Sequence, residues 1–132
     1  MGETNNQTNP RILIVEDEVL VRMFAVDALE DEGYRVAESS TAAEALAKLA
    51  ELGDEIAAII IDLGLPDRPG DQVAAEIRAK YPELPILIAS GRSERELKER
   101  FAIGGKVGIV VKPFTGPMLY DALEKLGVKA SS

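Results

Sequence analysis

Residues 56 to 70 read IAAIIIDLGLPDRPG. Ile56 to Ile61 run without a polar interruption into Asp62, and a loop rich in Pro and Gly follows, ending at Gly70. A short continuous apolar run bounded by turn residues predicts a strand buried on both faces, the kind found in parallel sheets. The loop after Asp62 then leaves the carboxyl end of that strand. In open α/β sheets, ligands sit beyond those ends.

The same alternation continues in both directions. Upstream, Arg11 to Val15 (RILIV) is a second apolar run. Val21, Phe24, Ala25, Ala28 and Leu29 follow at helical spacing, and Gly33 ends that helix. Tyr34 to Ser39 reads as a short strand. Thr41-x-x-Glu44 is a capping box for a helix carrying Ala42, Ala45, Leu46 and Leu49, closed by Gly53. Downstream, Asp71 is placed to cap a helix that stops before Pro82. Pro85 to Ala89 is another strand, and Ser93-x-x-Glu96 opens a helix with Leu97 and Phe101 on its stripe. Lys106 to Val111 holds the fifth strand, and Thr115 with Pro117 opens a last helix through Met118, Leu119, Ala122, Leu123 and Leu126. The prediction is an α/β fold, (βα)₅, with a doubly wound five-stranded parallel sheet. Residues 1–10 read as a flexible arm, 11–127 as one domain and 128–132 as a tail.

Composition narrows the chemistry. The 132 residues are 46% hydrophobic and 29% charged, as in a globular domain. Twenty-three acidic against 15 basic residues give a net charge of −8, which argues against nucleic acid as a partner. With no Cys and no His, disulfides, thiolate chemistry, imidazole catalysis and His-ligated zinc are excluded. No apolar run approaches the length of a membrane span, and the first ten residues lack the basic and apolar regions of a secretory leader, so a cytoplasmic location is expected.

The strand ends carry what remains. Glu16-Asp17 ends the first strand, Asp62 the third, Ser90-Gly91 the fourth and Lys112-Pro113 the fifth. Ser39 and Ser40, which end strand two, show no distinctive chemistry. Taken singly, each strand-end group has an ordinary reading: a helix cap for Asp62 or for Glu16-Asp17, a loop hydroxyl for Ser90, a surface ammonium for Lys112. Gathered on one sheet edge, three carboxylates repel one another and favour a cation. An oxygen-only set suits Mg²⁺ or Mn²⁺. A cation beside an ammonium and a hydroxyl suits a phosphoryl group.

In these motifs the chain resembles the receiver domains of two-component response regulators. The matching pieces are Val15-Glu16-Asp17-Glu18, Ile61-Asp62-Leu63-Gly64-Leu65-Pro66 with Gly70, Ser90-Gly91, and Val111-Lys112-Pro113-Phe114. They occur in the family's order and spacing and span residues 11 to about 127. The resemblance implies a flavodoxin-like fold with strand order 2-1-3-4-5. It implies that Asp62 accepts a phosphoryl group from a sensor histidine kinase or histidine phosphotransfer protein. Asp17 would ligate Mg²⁺ directly, Glu16 through a water, and Asp62 and the Gly64 backbone carbonyl would complete the protein ligands. Lys112, before a cis Pro113, would contact the phosphoryl group and pair with unmodified Asp62, and Ser90 would move to hydrogen-bond that group. Such a domain is a signalling phosphoacceptor, not an enzyme in the ordinary sense, and binds a downstream protein, with no DNA or membrane partner.

Three departures qualify the resemblance. Ile109 replaces the usual aromatic in strand five, so the coupled hydroxyl–aromatic switch is incomplete. Gly91 replaces a commoner Ala. Gly64 offers no side chain to position an attacking water, so self-dephosphorylation is expected to be slow. The chain is expected to be a stand-alone receiver, with Ser90, Ile109, Lys106 and Arg95 at its switch or contact surface. The alternatives are a phosphate shuttle or sink in a relay, and a pseudo-receiver that binds constitutively. An aspartyl phosphatase would want a second Asp where Gly64 stands, and a flavodoxin-like cofactor site would be repelled by Glu16-Asp17-Glu18.

Overall fold

Alternate residues of the Ile56–Asp62 strand point to opposite faces of the sheet, and each face has its own core. Ile59 and Ile61 join Leu13, Val15, Ile86 and Ile88 on one side. Ala58 and Ile60 join Ile12, Ile14, Leu87 and Val110 on the other. The computed structural model describes residues 9–91 and 105–130. Its strands are β1 (Arg11–Val15), β2 (Arg35–Ser39), β3 (Ile56–Asp62), β4 (Ile86–Ser90) and β5 (Val107–Val111). All pair in parallel in the order β2-β1-β3-β4-β5. The described helices are α1 (Val19–Glu32), α2 (Ala42–Leu52), α3 (Gly70–Lys80) and α4 (Gly116–Lys125).

Ala42, Ala45 and Leu49 of α2 and Val73, Ala74 and Ile77 of α3 cover the first face. Ala25 and Leu29 of α1 and Leu119 and Leu123 of α4 cover the second. The doubly wound α/β sheet is therefore as expected. The helix expected from Ser93, with its Ser93–Glu96 box, Leu97 and Phe101, lies outside the described residues.

Register sets the functional edge. Val15 pairs with Ile61, Asp62 with Ala89, and Ser90 with Val111. Glu16, Asp62, Ser90 and Lys112 thus emerge within about two residues of each other along the carboxyl edge.

Some local expectations need correction. Phe24 is not part of the buried stripe of α1. It is 48% exposed, as Leu20 is at 80%, and the buried residues of that helix are Ala25 and Leu29. Phe24 instead stands beside Phe114, ring centroids 6.2 Å apart. Asp71 does not cap α3: Pro69 occupies the cap position without a side-chain bond, and Asp71 lies within the first turn. Thr41 does cap α2, accepting from the Glu44 amide at 3.1 Å, but Glu44 reaches back to the amide and hydroxyl of Ser40. Glu18 holds the cap position of α1 with no side-chain cap bond.

The chain ends of the folded unit are tied to its body. The Pro10 carbonyl accepts from the Arg35 amide, and Val128 is buried with its carbonyl accepting from the Tyr34 hydroxyl at 2.9 Å. Burial pushes the Tyr34 phenol up to about 12, against an ordinary value of about 10. Because the folded value is raised, this contribution is intact below about pH 10 and is lost as the pH rises towards about 12. The expected loss over that interval is about 2–3 kcal/mol. Urea unfolding at increasing alkaline pH should show it, and Tyr34→Phe should flatten the decline.

Candidate functional site

Lys112 leaves the end of β5, where its amide donates to the Ser90 carbonyl at 2.7 Å. From there its ammonium bridges two strands. Nζ lies 2.7 Å from Glu16 Oε1, after β1, and 2.9 Å from Asp62 Oδ1, at the end of β3, with Glu18 Oε1 at 3.7 Å. Glu16 and Asp62 are both buried. Burial works against the Lys112 ammonium, but hydrogen bonds to Glu16 and Asp62 outweigh it and hold the group above the ordinary lysine range. Burial raises the Glu16 carboxyl above its ordinary value despite the hydrogen bond from Lys112. The Lys112–Pro113 peptide is cis.

The β1–α1 loop is held from two sides. Glu16 Oε2 accepts from the Glu18 amide at 3.1 Å. The Arg22 guanidinium donates to the Glu16 carbonyl at 2.7 Å and to Glu38 at 3.2 Å. Asp17 is the more accessible member of the acidic pair. On the β3–α3 loop, Gly64 stands beside the other oxygen of Asp62: a Cβ there would lie 3.6 Å from Asp62 Oδ2, in ordinary van der Waals contact. Gly70 is forced by a closer approach: a Cβ would meet the Leu63 Cα at 2.6 Å and the Asp62 carbonyl oxygen at 2.7 Å. That contact lets α3 start hard against the end of β3.

These residues open into a cleft of about 610 Å³, lined by Asp17, Glu18, Asp62, Gly64, Ser90 and Lys112 among others. Glu16 lies beneath it. Each of Glu16, Asp17 and Asp62 offers an oxygen within 4.8 Å of the others. Three carboxylates against one ammonium leave a surplus of negative charge. The donors are hard oxygens, with no imidazole or thiolate in the chain. The set fits Mg²⁺, which takes one or two carboxylates and keeps several waters.

Asp62, Lys112, Ser90, Glu16, Asp17 and Gly64 therefore come together as expected, with Glu16 bound directly to Lys112 as an addition. Ile109 is half-buried in mid-strand, opposite Ile88, and packs on the core. Lys106 sits at the far end of β5, its carbonyl accepting from the Ile86 amide and the Arg78 guanidinium. Arg95 lies outside the described residues. Sequence reading missed Arg22 and also Asp67, whose carboxylate binds the start of α2. Arg22 binds the Glu16 carbonyl and the Glu38 carboxylate, and Asp67 binds backbone amides about 25 residues away, so no local pattern announces them.

Known proteins share this sequence pattern and fold. The family described as the response regulator receiver domain matches residues 12–124. The chemotaxis protein CheY of Thermotoga maritima is 30% identical over 117 residues, which cover 88% of this chain and 96% of that protein. The transcriptional regulatory protein PdtaR of Mycobacterium tuberculosis is 36% identical over 114 residues, 86% of this chain but 55% of that protein. The match to the sensor kinase CckA of Brucella abortus, at 32% identity, covers 87% of this chain and 12% of the kinase. Among solved structures, the Vibrio cholerae chemotaxis protein CheY4 superposes with a TM-score of 0.79 at 28% identity, covering 89% of this chain and 98% of that one. The matched region, the strand order and the acid–lysine cleft lead to one conclusion: this chain belongs to the receiver domain family of response regulators.

Proposed function

We propose that Asp62 accepts a phosphoryl group from a phosphohistidine on a sensor histidine kinase or histidine phosphotransfer protein, and that the modified domain signals by binding another protein. The observation that carries this reading is the Lys112 bridge. It holds Asp62 through Oδ1, while Asp62 and Gly64 both line the open cleft. In the transfer, an Asp62 oxygen forms a bond to phosphorus. The P–N bond breaks, its electron pair stays on the donor's imidazole nitrogen, and that nitrogen takes a proton. Glu16, Asp17, Asp62 and the Gly64 carbonyl would hold Mg²⁺, which supplies charge neutralisation at the phosphoryl oxygens. Lys112 supplies a second positive charge, and the Ser90 hydroxyl donates to the new phosphoryl group.

The donor must come to the cleft mouth. Beside it, the exposed α1 residues Leu20 and Phe24 join Pro113 and Phe114 in an apolar groove that reaches Lys112. A protein donor seated on that groove would bring its phosphohistidine to Asp62. Ile109 and Lys106 are proposed for the downstream surface, with Arg95 beyond the described residues. Self-dephosphorylation would be slow, since Gly64 cannot orient water. A cytoplasmic place fits a kinase-fed domain, and no described helix is long and apolar enough to cross a membrane.

The test is an amide NMR titration with Mg²⁺ followed by beryllofluoride, a mimic of the acyl phosphate. Mg²⁺ should shift Asp17, Asp62 and Gly64, and beryllofluoride should extend the shifts to Ser90 and Ile109. Shifts confined to the cleft would identify a phosphate shuttle, and no response to either addition would leave a constitutive binding domain.

A further inference from the structure

The β3–α3 loop, residues 63–69, carries the Gly64 carbonyl, and one of its side chains crosses to another part of the molecule. Asp67 Oδ1 accepts from the Ala42 amide at 2.9 Å, and Oδ2 accepts from the Ala43 amide at 3.1 Å. These are first-turn donors of α2, which lack partners within the helix. Nearer β3, the Leu63 amide bonds to Ala89 and Leu65 is buried in the core. On the other side, the Arg68 guanidinium reaches Gln72 and Glu76 of α3. Asp67 is thus the loop residue, among those described, that hydrogen-bonds to α2.

The corner it grips is also tied to the other acidic loop. The Ser39 hydroxyl donates to the Ile14 carbonyl at 3.1 Å, and the Glu16 amide donates to the Ser39 carbonyl at 3.1 Å. The loop bearing Glu16 and Asp17 and the loop bearing Gly64 therefore both bond to the β2–α2 corner, the first at Ser39 and the second at Ala42 and Ala43.

We infer that Asp67 is a positioning residue for the phosphoacceptor site: by clamping the β3–α3 loop to α2 it sets the Gly64 carbonyl against the acidic pair at the spacing a divalent cation requires. This rests on the Mg²⁺-dependent reading above. Mg²⁺ demands near-ideal octahedral geometry, so a loop left loose at its outer end binds it less well. Groups that orient metal ligands from behind typically change metal affinity by 10- to 100-fold.

The test compares the 132-residue chain with Asp67→Ala, Asp67→Asn and Thr41→Ala, following the Asp62 and Gly64 amides through a Mg²⁺ titration. Thr41 caps the same helix through the Glu44 amide without touching the loop. Asp67→Ala should weaken Mg²⁺ binding roughly tenfold. Asp67→Asn keeps one acceptor oxygen and should fall between Asp67→Ala and wild type. Thr41→Ala should lower the melting temperature to a similar extent, yet leave Mg²⁺ affinity within about twofold of wild type. Without Mg²⁺, the Ala42 and Ala43 amides should exchange faster in Asp67→Ala. The inference is overturned if both Asp67 variants bind Mg²⁺ like wild type, or if Thr41→Ala weakens binding as much as Asp67→Ala. Should the wild type itself show no Mg²⁺ response, the phosphoacceptor reading fails first, and the role of Asp67 fails with it.

Discussion

Asp62→Asn should abolish phosphorylation. Incubated with Mg²⁺ and acetyl phosphate, the wild-type chain should gain the mass of one phosphoryl group and the variant none. The substitution is close to isosteric, and its amide oxygen still accepts from Lys112, so the fold is kept. The amide has no anionic oxygen to attack phosphorus, and an expected rate loss of at least about a thousandfold follows from removing the proposed nucleophile. Glu16 is a poor substitute. Both oxygens of Glu16 are occupied, one by Lys112 and one by the Glu18 amide, and the side chain is buried. Stability should move in the opposite direction. Without Mg²⁺, Asp62→Asn removes one of three clustered carboxylates and should raise the melting temperature. Mg²⁺ should then stabilise the variant less than it stabilises wild type. Phosphoryl gain by Asp62→Asn, mapped to Asp17 or Glu16, would move the acceptor to that residue.

The legible parts of this molecule are those written in contiguous residues. The buried strands are apolar runs, so β1, β3 and β4 stand out. The strand-end residues follow directly, because a parallel sheet brings every carboxyl end to one edge. The illegible parts depend on which of two faces packs, or on partners far along the chain. In α1 the apolar residues occupy more than one face. Helical spacing alone cannot tell that Ala25 and Leu29 turn inward while Leu20 and Phe24 stay exposed. The Glu16–Lys112 pair spans 96 positions of sequence, and only the register of β1, β3, β4 and β5 brings it together. Ser39 carries no local signal for the same reason: its bonds go to β1, which pairs beside it.

Lys112→Met should separate the structural work of the lysine from its chemical work. Methionine keeps much of the stem volume and deletes the ammonium. Glu16 and Asp62 are then buried without their shared cation, and breaking a buried ion pair from one side typically costs about 3–5 kcal/mol. Some of that loss is recoverable, because a carboxyl group can take up a proton. Glu16 is the group to do so, since burial already raises it. The sign follows from a raised folded value: the protonated form favours folding at low pH, and this contribution is lost as the pH rises through the folded pKa. The variant should therefore unfold at nearly wild-type urea concentrations in mild acid and fall behind near neutrality. Mg²⁺ should reverse the deficit, because a more negative cradle binds the cation more tightly and binding to the folded state adds stability as RT ln(1 + [Mg²⁺]/Kd). Phosphorylation should not recover in the same way. On the proposed reading the ammonium meets the phosphoryl oxygen, so its loss should slow the reaction by about a hundredfold even at saturating Mg²⁺. Urea unfolding with and without Mg²⁺ at two pH values, beside rates with acetyl phosphate, reads both effects. A stability loss indifferent to Mg²⁺ and pH would mean that the lysine stem, packed at the end of β5, matters more than its charge.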